Sequence, residues 1–343
     1  MTTKKTTIHD IARELNTTAS TVSRALKNHP SISVQMKERV KSTAERLSYR
    51  QNKIASSLRS GRSHIIGVII PSADVSFFGS VVHGIERVAR SNGYNVLLFQ
   101  SNESTAYELE GVEALLQSRV DGILASPAKE TADYGHFIEI KKRNVPLILF
   151  DRADDNLSVP SVVIDDYRGA FMATEHLIQQ GYKRIAHISG QQHIKIFTER
   201  LRGYTDALKH YSLDIDDNLI ASGKVSIESG KECTMELLNK ENPPDAIFAV
   251  EDFTAFGAIQ ALKESGIRIP DEMGVIGFAN ESFSQYISPP LSTIDQQTAK
   301  MGEEAAKLFL NQVTEKVKPA FQKIVLEPRL IVRESSLRKN MHI

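Results

Sequence analysis

Apolar residues in the first fifty positions recur at helical spacing, and the pattern is interrupted twice. Ile8, Ile11, Ala12 and Leu15 fall at i, i+3, i+4, i+7 and mark one short amphipathic helix. Asn16-Thr17-Thr18 breaks it. Val22, Ala25 and Leu26 then point inward from a second helix that leaves Ser20, Thr21, Ser23 and Arg24 outside. Ser33 is a candidate N-cap for a third helix, with Met36, Val40, Ala44 and Leu47 along its inner side. Three short helices around one small core account for residues 6–49. The first two, joined by a turn of a few residues, fit the helix-turn-helix pattern of a DNA-reading unit. A plain helical hairpin with a solvated polar face has the same pattern.

Residues 52–59 fit a further two-turn helix with Ile54, Ala55 and Leu58 on one side. So short a helix is marginal alone, because nucleation outweighs the few bonds that follow, and a disordered linker is expected off DNA. From Ile65 the texture changes to short apolar runs alternating with amphipathic segments. Strands are predicted over 65–70, 95–100, 122–125, 146–150, 162–164, 184–189, 246–250 and 274–277. Helices are predicted near 78–92, 106–118, 132–143, 168–180, 199–211, 228–240, 254–265 and 297–312. This alternation indicates βαβ units and parallel sheets covered by helices. Roughly 280 residues are many for one such sheet, so two lobes are expected.

Charge changes the picture more than composition does. The 343 residues have zero formal net charge. Residues 1–62, however, hold 13 Lys and Arg against 4 Asp and Glu, and the remainder holds 29 against 38. A basic arm of +9 on an acidic body of −9 points to a nucleic-acid partner for the arm. The single cysteine, Cys233, permits no intramolecular disulfide and fits a reducing compartment. After Lys4-Lys5 there is no apolar run of a signal peptide, and no window approaches the ~18 apolar residues of a membrane span. A cytoplasmic location is the expectation.

The contiguous run from Thr7 to Pro71 carries TIHDIA, TVSRAL, Ile32-Ser33, Tyr49, Asn52 and an ASSLRS segment at 55–60. With these motifs at these spacings it resembles the head of a LacI/GalR-family transcription regulator. The resemblance implies a DNA-binding head over 1–50, a hinge over 51–63 and a two-lobed effector-binding and dimerisation body over 64–343. It implies that Thr18, Ala19, Ser20, Thr21, Ser23, Arg24 and Asn28 face DNA from the second helix. Ile8, Ser33 and Tyr49 would hold backbone phosphates, and Asn52, Ala55 and Leu58 would enter the minor groove. An apolar wedge such as Leu58 unstacks a base step and bends DNA, while Arg24 can fork onto a guanine edge or a phosphate. Three departures stand out: Asn16 where the family often has glycine, Gln51 where it usually has proline, and small Ala19 and Ser20 at the main base-reading positions.

The body resembles the periplasmic-binding-protein fold, so the expected architecture is a small all-α helix-turn-helix head plus an α/β body of two lobes with parallel sheets. Lobe one is expected at about 64–163 and 295–325, and lobe two at about 164–294 and 326–336. Ligands of such sheets bind outside the carboxyl ends of strands and at domain interfaces. The resemblance then implies effector contacts from Phe77 and Phe78 after the first strand, Asp151 and Arg152 after the fourth, and Arg200 in ERLRGY. It adds Val225, Glu251 in VEDF, Asn280 in GFAN, and Gln296 at the end of the crossover PPLSTIDQ. Glu251 stands where the pattern usually has Asn, and Ala279 where it often has Asp. A polar, mixed-charge site suits a sugar or sugar derivative.

The chain carries no GxGxxG, P-loop, GxSxG or HExxH, and its 10 histidines lack a ligand spacing. No catalytic residue, metal or cofactor is therefore expected. The leading expectation is a cytoplasmic homodimer, in its default sense a repressor, on a pseudo-palindromic operator, switched by a small molecule. The alternative is a sugar-receptor protein without a DNA role, which would need export and no basic head.

Overall fold

The computed structural model describes residues 6–49, 61–314 and 321–338. Asn52, Ala55 and Leu58, the predicted minor-groove residues, lie outside the described residues. Residues 1–63 and 64–343 form two compact units.

In the first unit, α1 (Ile8–Glu14), α2 (Ala19–Leu26) and α3 (Val34–Arg46) enclose Ile11, Val22, Ala25, Val40 and Ala44. Each start has a local cause. Thr7 donates its backbone N–H and hydroxyl to Asp10, at 2.9 and 2.7 Å. The Thr18 hydroxyl accepts the Thr21 N–H at 3.1 Å, and Ser33 accepts that of Met36 at 3.3 Å. Such caps satisfy amide groups that a helix start leaves without partners. Asn16 has φ +51°, a left-handed turn that asparagine tolerates.

The second unit contains two α/β layers. Its first sheet is parallel, with β11 (Lys323–Leu326), β5 (Ser161–Ile164), β4 (Leu147–Phe150), β3 (Gly122–Ala125), β1 (Ile65–Ile70) and β2 (Asn95–Gln100) in that order. Helices α4 (Ser76–Ser91) and α11 (Thr298–Thr314) cover one face, and α5 (Thr105–Gln117) and α6 (Gly135–Lys142) the other. The second sheet is also parallel: β7 (Ile220–Ser222), β6 (Ile185–Ser189), β8 (Ala246–Ala249) and β9 (Gly274–Ile276). It lies between the pair α7 (Asp166–Gln179) and α8 (Lys195–His210) and the pair α9 (Ile227–Leu238) and α10 (Asp252–Glu264). Strands buried on both faces read as continuous apolar runs, which is how they are visible in the sequence. Gly84 and Gly302 let α4 and α11 cross with backbones touching; a Cβ at either would collide with a carbonyl of the other helix.

Two antiparallel strands, β10 (Thr293–Asp295) and β12 (Arg329–Ile331), bind the crossovers between the lobes. The chain passes between lobes near Asp165, Gln296 and Glu327, where Asp165 N–H donates to Leu326 O at 3.0 Å. The Gln297 amide donates to Glu327 O at 2.5 Å. Among the described residues no helix is long and apolar enough to cross a membrane.

Candidate functional site

In the head, Ile8, Ala19, Ser20, Ser23 and Arg24 line one shallow groove together with His9, Lys27 and His29. Ser20, Arg24 and Lys27 follow one another at i, i+4, i+7, so Lys27 was within reach of the periodicity that placed the others. Arg24 is exposed and pairs with no carboxylate among the described residues. Thr18 and Thr21 sit at the start of α2 with their hydroxyls bonded to each other at 2.9 Å, so they order the helix start. Asn28 is exposed in the left-handed turn after α2, φ +53°. Ser33 caps α3, and half-buried Tyr49 packs on the head core while its N–H closes onto Ala44 O.

In the body, a cavity of about 360 Å³ opens between the lobes at the carboxyl ends of the strands. Eight of the nine residues expected there line it: Phe77, Phe78, Asp151, Arg152, Arg200, Val225, Glu251 and Gln296. The phenyl rings of Phe77 and Phe78 meet edge to face, 5.0 Å apart. Asn280 does not line the cavity. Its side chain accepts from Arg333 Nη2 at 2.8 Å and its N–H donates to Thr293 Oγ1, so it fastens the crossover instead.

The charged residues are held by one another. Arg152 forks onto Glu103 at 2.7 and 3.0 Å and donates to Pro127 O, while Asp151 accepts the Ser126 hydroxyl at 3.0 Å. Both side chains are largely buried. Burial pushes the Asp151 carboxyl up despite Arg152. Burial also acts on Glu103, but the Arg152 and Lys129 charges and hydrogen bonds outweigh it and hold that carboxyl down. Arg200, 3% exposed, donates to Asp166 through Nε at 2.8 Å and to Val250 O through Nη1 at 2.7 Å. Its guanidinium carbon lies 3.7 Å from the centre of the Phe278 ring. Burial raises the Asp166 carboxyl to about 6 even against this partner. Glu251 and Asp252, at the end of β8, are raised by burial to about 7.

Lobe two reaches lobe one through Glu281, whose carboxylate accepts from the Ser76 hydroxyl and, at 3.2 Å, from the Phe77 N–H. His193 Nε2 meets Lys129 O at 3.1 Å, and Lys195 pairs with Asp155. Glu103, Lys129, Phe197 and Glu281 line the cavity and were not singled out from the sequence. Glu103 and Glu281 lie just past strand ends, the rule that found Asp151, but no motif marks them. Val225, Asp151 and Ala279 reach the cavity with φ of +58°, +62° and +129°. For a β-branched valine that is an outlier held by its surroundings, as is common around ligand sites. In the cavity wall Gln296 Oε1 is buried without a hydrogen-bond partner among the described residues, and Arg152 Nε lies 3.7 Å from Asp151 Oδ2.

Two family models match the chain. Residues 7–52 match the family model described as bacterial regulatory proteins, lacI family, and residues 63–326 match that of periplasmic binding proteins and the sugar binding domain of the LacI family. The HTH-type transcriptional regulator DegA of Bacillus subtilis is 34% identical over 97% of this chain and 98% of its own. Catabolite control protein A of Priestia megaterium is 33% identical over 90% and 93%. Among solved structures, the lac repressor dimer bound to operator and the anti-inducer ONPF superimposes with TM-score 0.86, at 26% identity, over 97% of this chain and 100% of that one. The CelR–cellobiose complex gives 0.73, at 27% identity, over 96% and 100%. The chain belongs to the lacI family of bacterial regulatory proteins, and is a DNA-binding transcriptional regulator rather than an enzyme.

Proposed function

We propose that this regulator is a homodimeric repressor of a pseudo-palindromic operator, and that a sugar or sugar derivative bound between its lobes switches its operator affinity. The observation that carries the reading is the cavity at the strand ends. It joins an aromatic pair with the Glu251 carboxylate, which no hydrogen bond or ion pair reaches among the described residues. Aromatic surface with a few placed polar groups is the usual composition of a small-molecule site. The named ligands of related structures, cellobiose and ribose, are of the same class.

In the head, the second helix would enter the major groove with Arg24 and Lys27 toward phosphates or base edges, and the small Ala19 and Ser20 against thymine methyls or water. One head reads one half-site, so a two-fold dimer follows from the operator's symmetry. For self-association, β2 at the sheet edge exposes Leu97 and Leu98 on opposite faces, next to exposed Tyr107 and Leu109. Ligand would favour one arrangement of the lobes, and its effect on operator affinity equals its differential affinity for the two states.

The test uses the full chain. Operator duplexes are selected from random DNA, and their binding is followed by fluorescence anisotropy with and without sugars that raise the thermal midpoint. The expected outcome is a symmetric operator whose affinity moves at least about fivefold with such a ligand, the lower end of ordinary coupling. A sugar that stabilises the protein and leaves operator affinity unchanged would refute the switch.

A further inference from the structure

The charges in the cavity do not cancel, and the imbalance falls on one residue. Arg152 is engaged with Glu103, and Lys129 lies 3.6 Å from the same carboxylate. Arg200 is engaged with Asp166 and the Val250 carbonyl. Glu281 already accepts from the first turn of α4. Glu251 remains. It lines the cavity, and among the described residues no hydrogen bond or ion pair reaches its carboxylate. Gln296, 4% exposed, lines the same cavity, but its Oε1 is fully buried behind the wall. One acidic acceptor is therefore open to the cavity where the cations are committed elsewhere.

Taking the cavity as the effector site, as above, we propose that the effector is an amino sugar: a monosaccharide-sized ring whose protonated amine pairs with Glu251. A neutral sugar would offer hydroxyls and leave the charge unanswered. A phosphate or carboxylate would meet Glu251 directly, with each nearby cation already paired to a protein carboxylate. Glu251 faces Lys129, Arg200, Arg152 and Glu281, with Asp252 beside it in the chain. Burial holds its carboxyl up at about 7, so near neutral pH an ammonium would draw it to the ionised form. Charge-assisted hydrogen bonds of this kind are about twice as strong as neutral ones.

The test is titration calorimetry of the full chain near neutral pH. The probes are D-glucosamine, D-galactosamine and D-mannosamine, each beside its parent hexose, its N-acetyl derivative and the hexose 6-phosphate. At least one free hexosamine is expected to bind roughly tenfold more tightly than its parent hexose. Glu251→Gln should weaken the amine until the two lie within about twofold. Glu251→Asn, a second variant that also removes the charge, should do the same. A hexose, N-acetyl derivative or phosphate that binds as tightly as the amine overturns the amino-sugar assignment and leaves the cavity as the effector site. So does an amine whose affinity survives both substitutions. Absence of binding by every probe overturns the assignment and counts against the sugar site itself.

Discussion

Arg200 donates to Asp166 Oδ1 through Nε at 2.8 Å and its Nη2 lies 2.7 Å from the same oxygen as an ion pair, with the Phe278 ring beneath its guanidinium. The motif ERLRGY singles out Arg200 as a ligand contact, but its Nε and Nη1 N–H groups already serve the protein. Arg200→Ala would leave the Asp166 carboxylate buried without its partner, which typically costs about 3–5 kcal/mol. We expect that variant to lose thermal stability as well as ligand response. Asp166→Ala should cost much less when added to it than when made alone. A double-mutant cycle with additive losses would show that the pair is not coupled. The acids nearby make a second prediction, with a definite sign. Glu251 and Asp252 are raised by burial to about 7, above their values in the unfolded chain. Between about pH 4 and 7 the folded state therefore binds more protons than the unfolded one, and their contribution to stability is lost as pH rises through 7. Glu251→Gln removes one of the two. Thermal midpoints of this variant and the parent should diverge from pH 5 to pH 8, with the variant ahead by about 1 kcal/mol or more at the upper end. Parallel curves would mean that Glu251 does not titrate there.

Val75, the N-cap residue of helix α4, supplies no side-chain bond, and the helix receives its cap from the other lobe through Glu281. A carboxylate at a helix start satisfies free N–H groups and the positive end of the dipole. Here it also ties the lobes together beside the ligand cavity. Glu281→Ala should lower the thermal midpoint of the body by the equivalent of about 1–2 kcal/mol. It should also enlarge the radius of gyration in small-angle scattering of ligand-free protein; an unchanged profile would show that the contact does not hold the lobes. The alternation of apolar runs placed β1, β2 and β3 over the observed spans and the long helices to within a few residues, because buried parallel strands and amphipathic helices write different periods into the chain. The segments without predicted strands were β7, β10, β11 and β12, of three or four residues each. Three or four residues show no period, and all four strands lie at sheet edges or between the lobes, where partner strands rather than their own residues decide them. Strand-end positions and motifs likewise located most of the cavity. Asn280 met the same rule, but whether a side chain after a strand faces the cleft or the crossover depends on a backbone turn, here at φ +56°. Glu281, one residue on, faces inward.

At the scale of the molecule, basic and acidic residues are segregated by unit, +9 in residues 1–62 and −9 in the rest. A dimer doubles the basic surface available to one duplex and so steepens the fall of affinity with salt, since each neutralised phosphate adds about −0.9 to the logarithmic slope. The proposed dimer surface can be separated from the heads because β2 lies in the body. Leu98 sits at the sheet edge, 44% exposed, in register with Val68 of β1, and its neighbour Leu97 is exposed on the opposite face. An edge strand carrying apolar side chains on both faces is an invitation to pair, which isolated monomers generally avoid. Leu98→Asp should leave the body folded, because the side chain is not part of its core, while placing a charge in the subunit interface. Sedimentation velocity should then show a monomer where the parent shows a dimer. Affinity for the symmetric operator should fall by roughly tenfold or more, as two half-sites cease to be bound as one unit. Affinity for a single half-site should change little, and its salt slope should equal that of the parent on the same half-site. A variant that remains dimeric would place the two-fold surface away from β2.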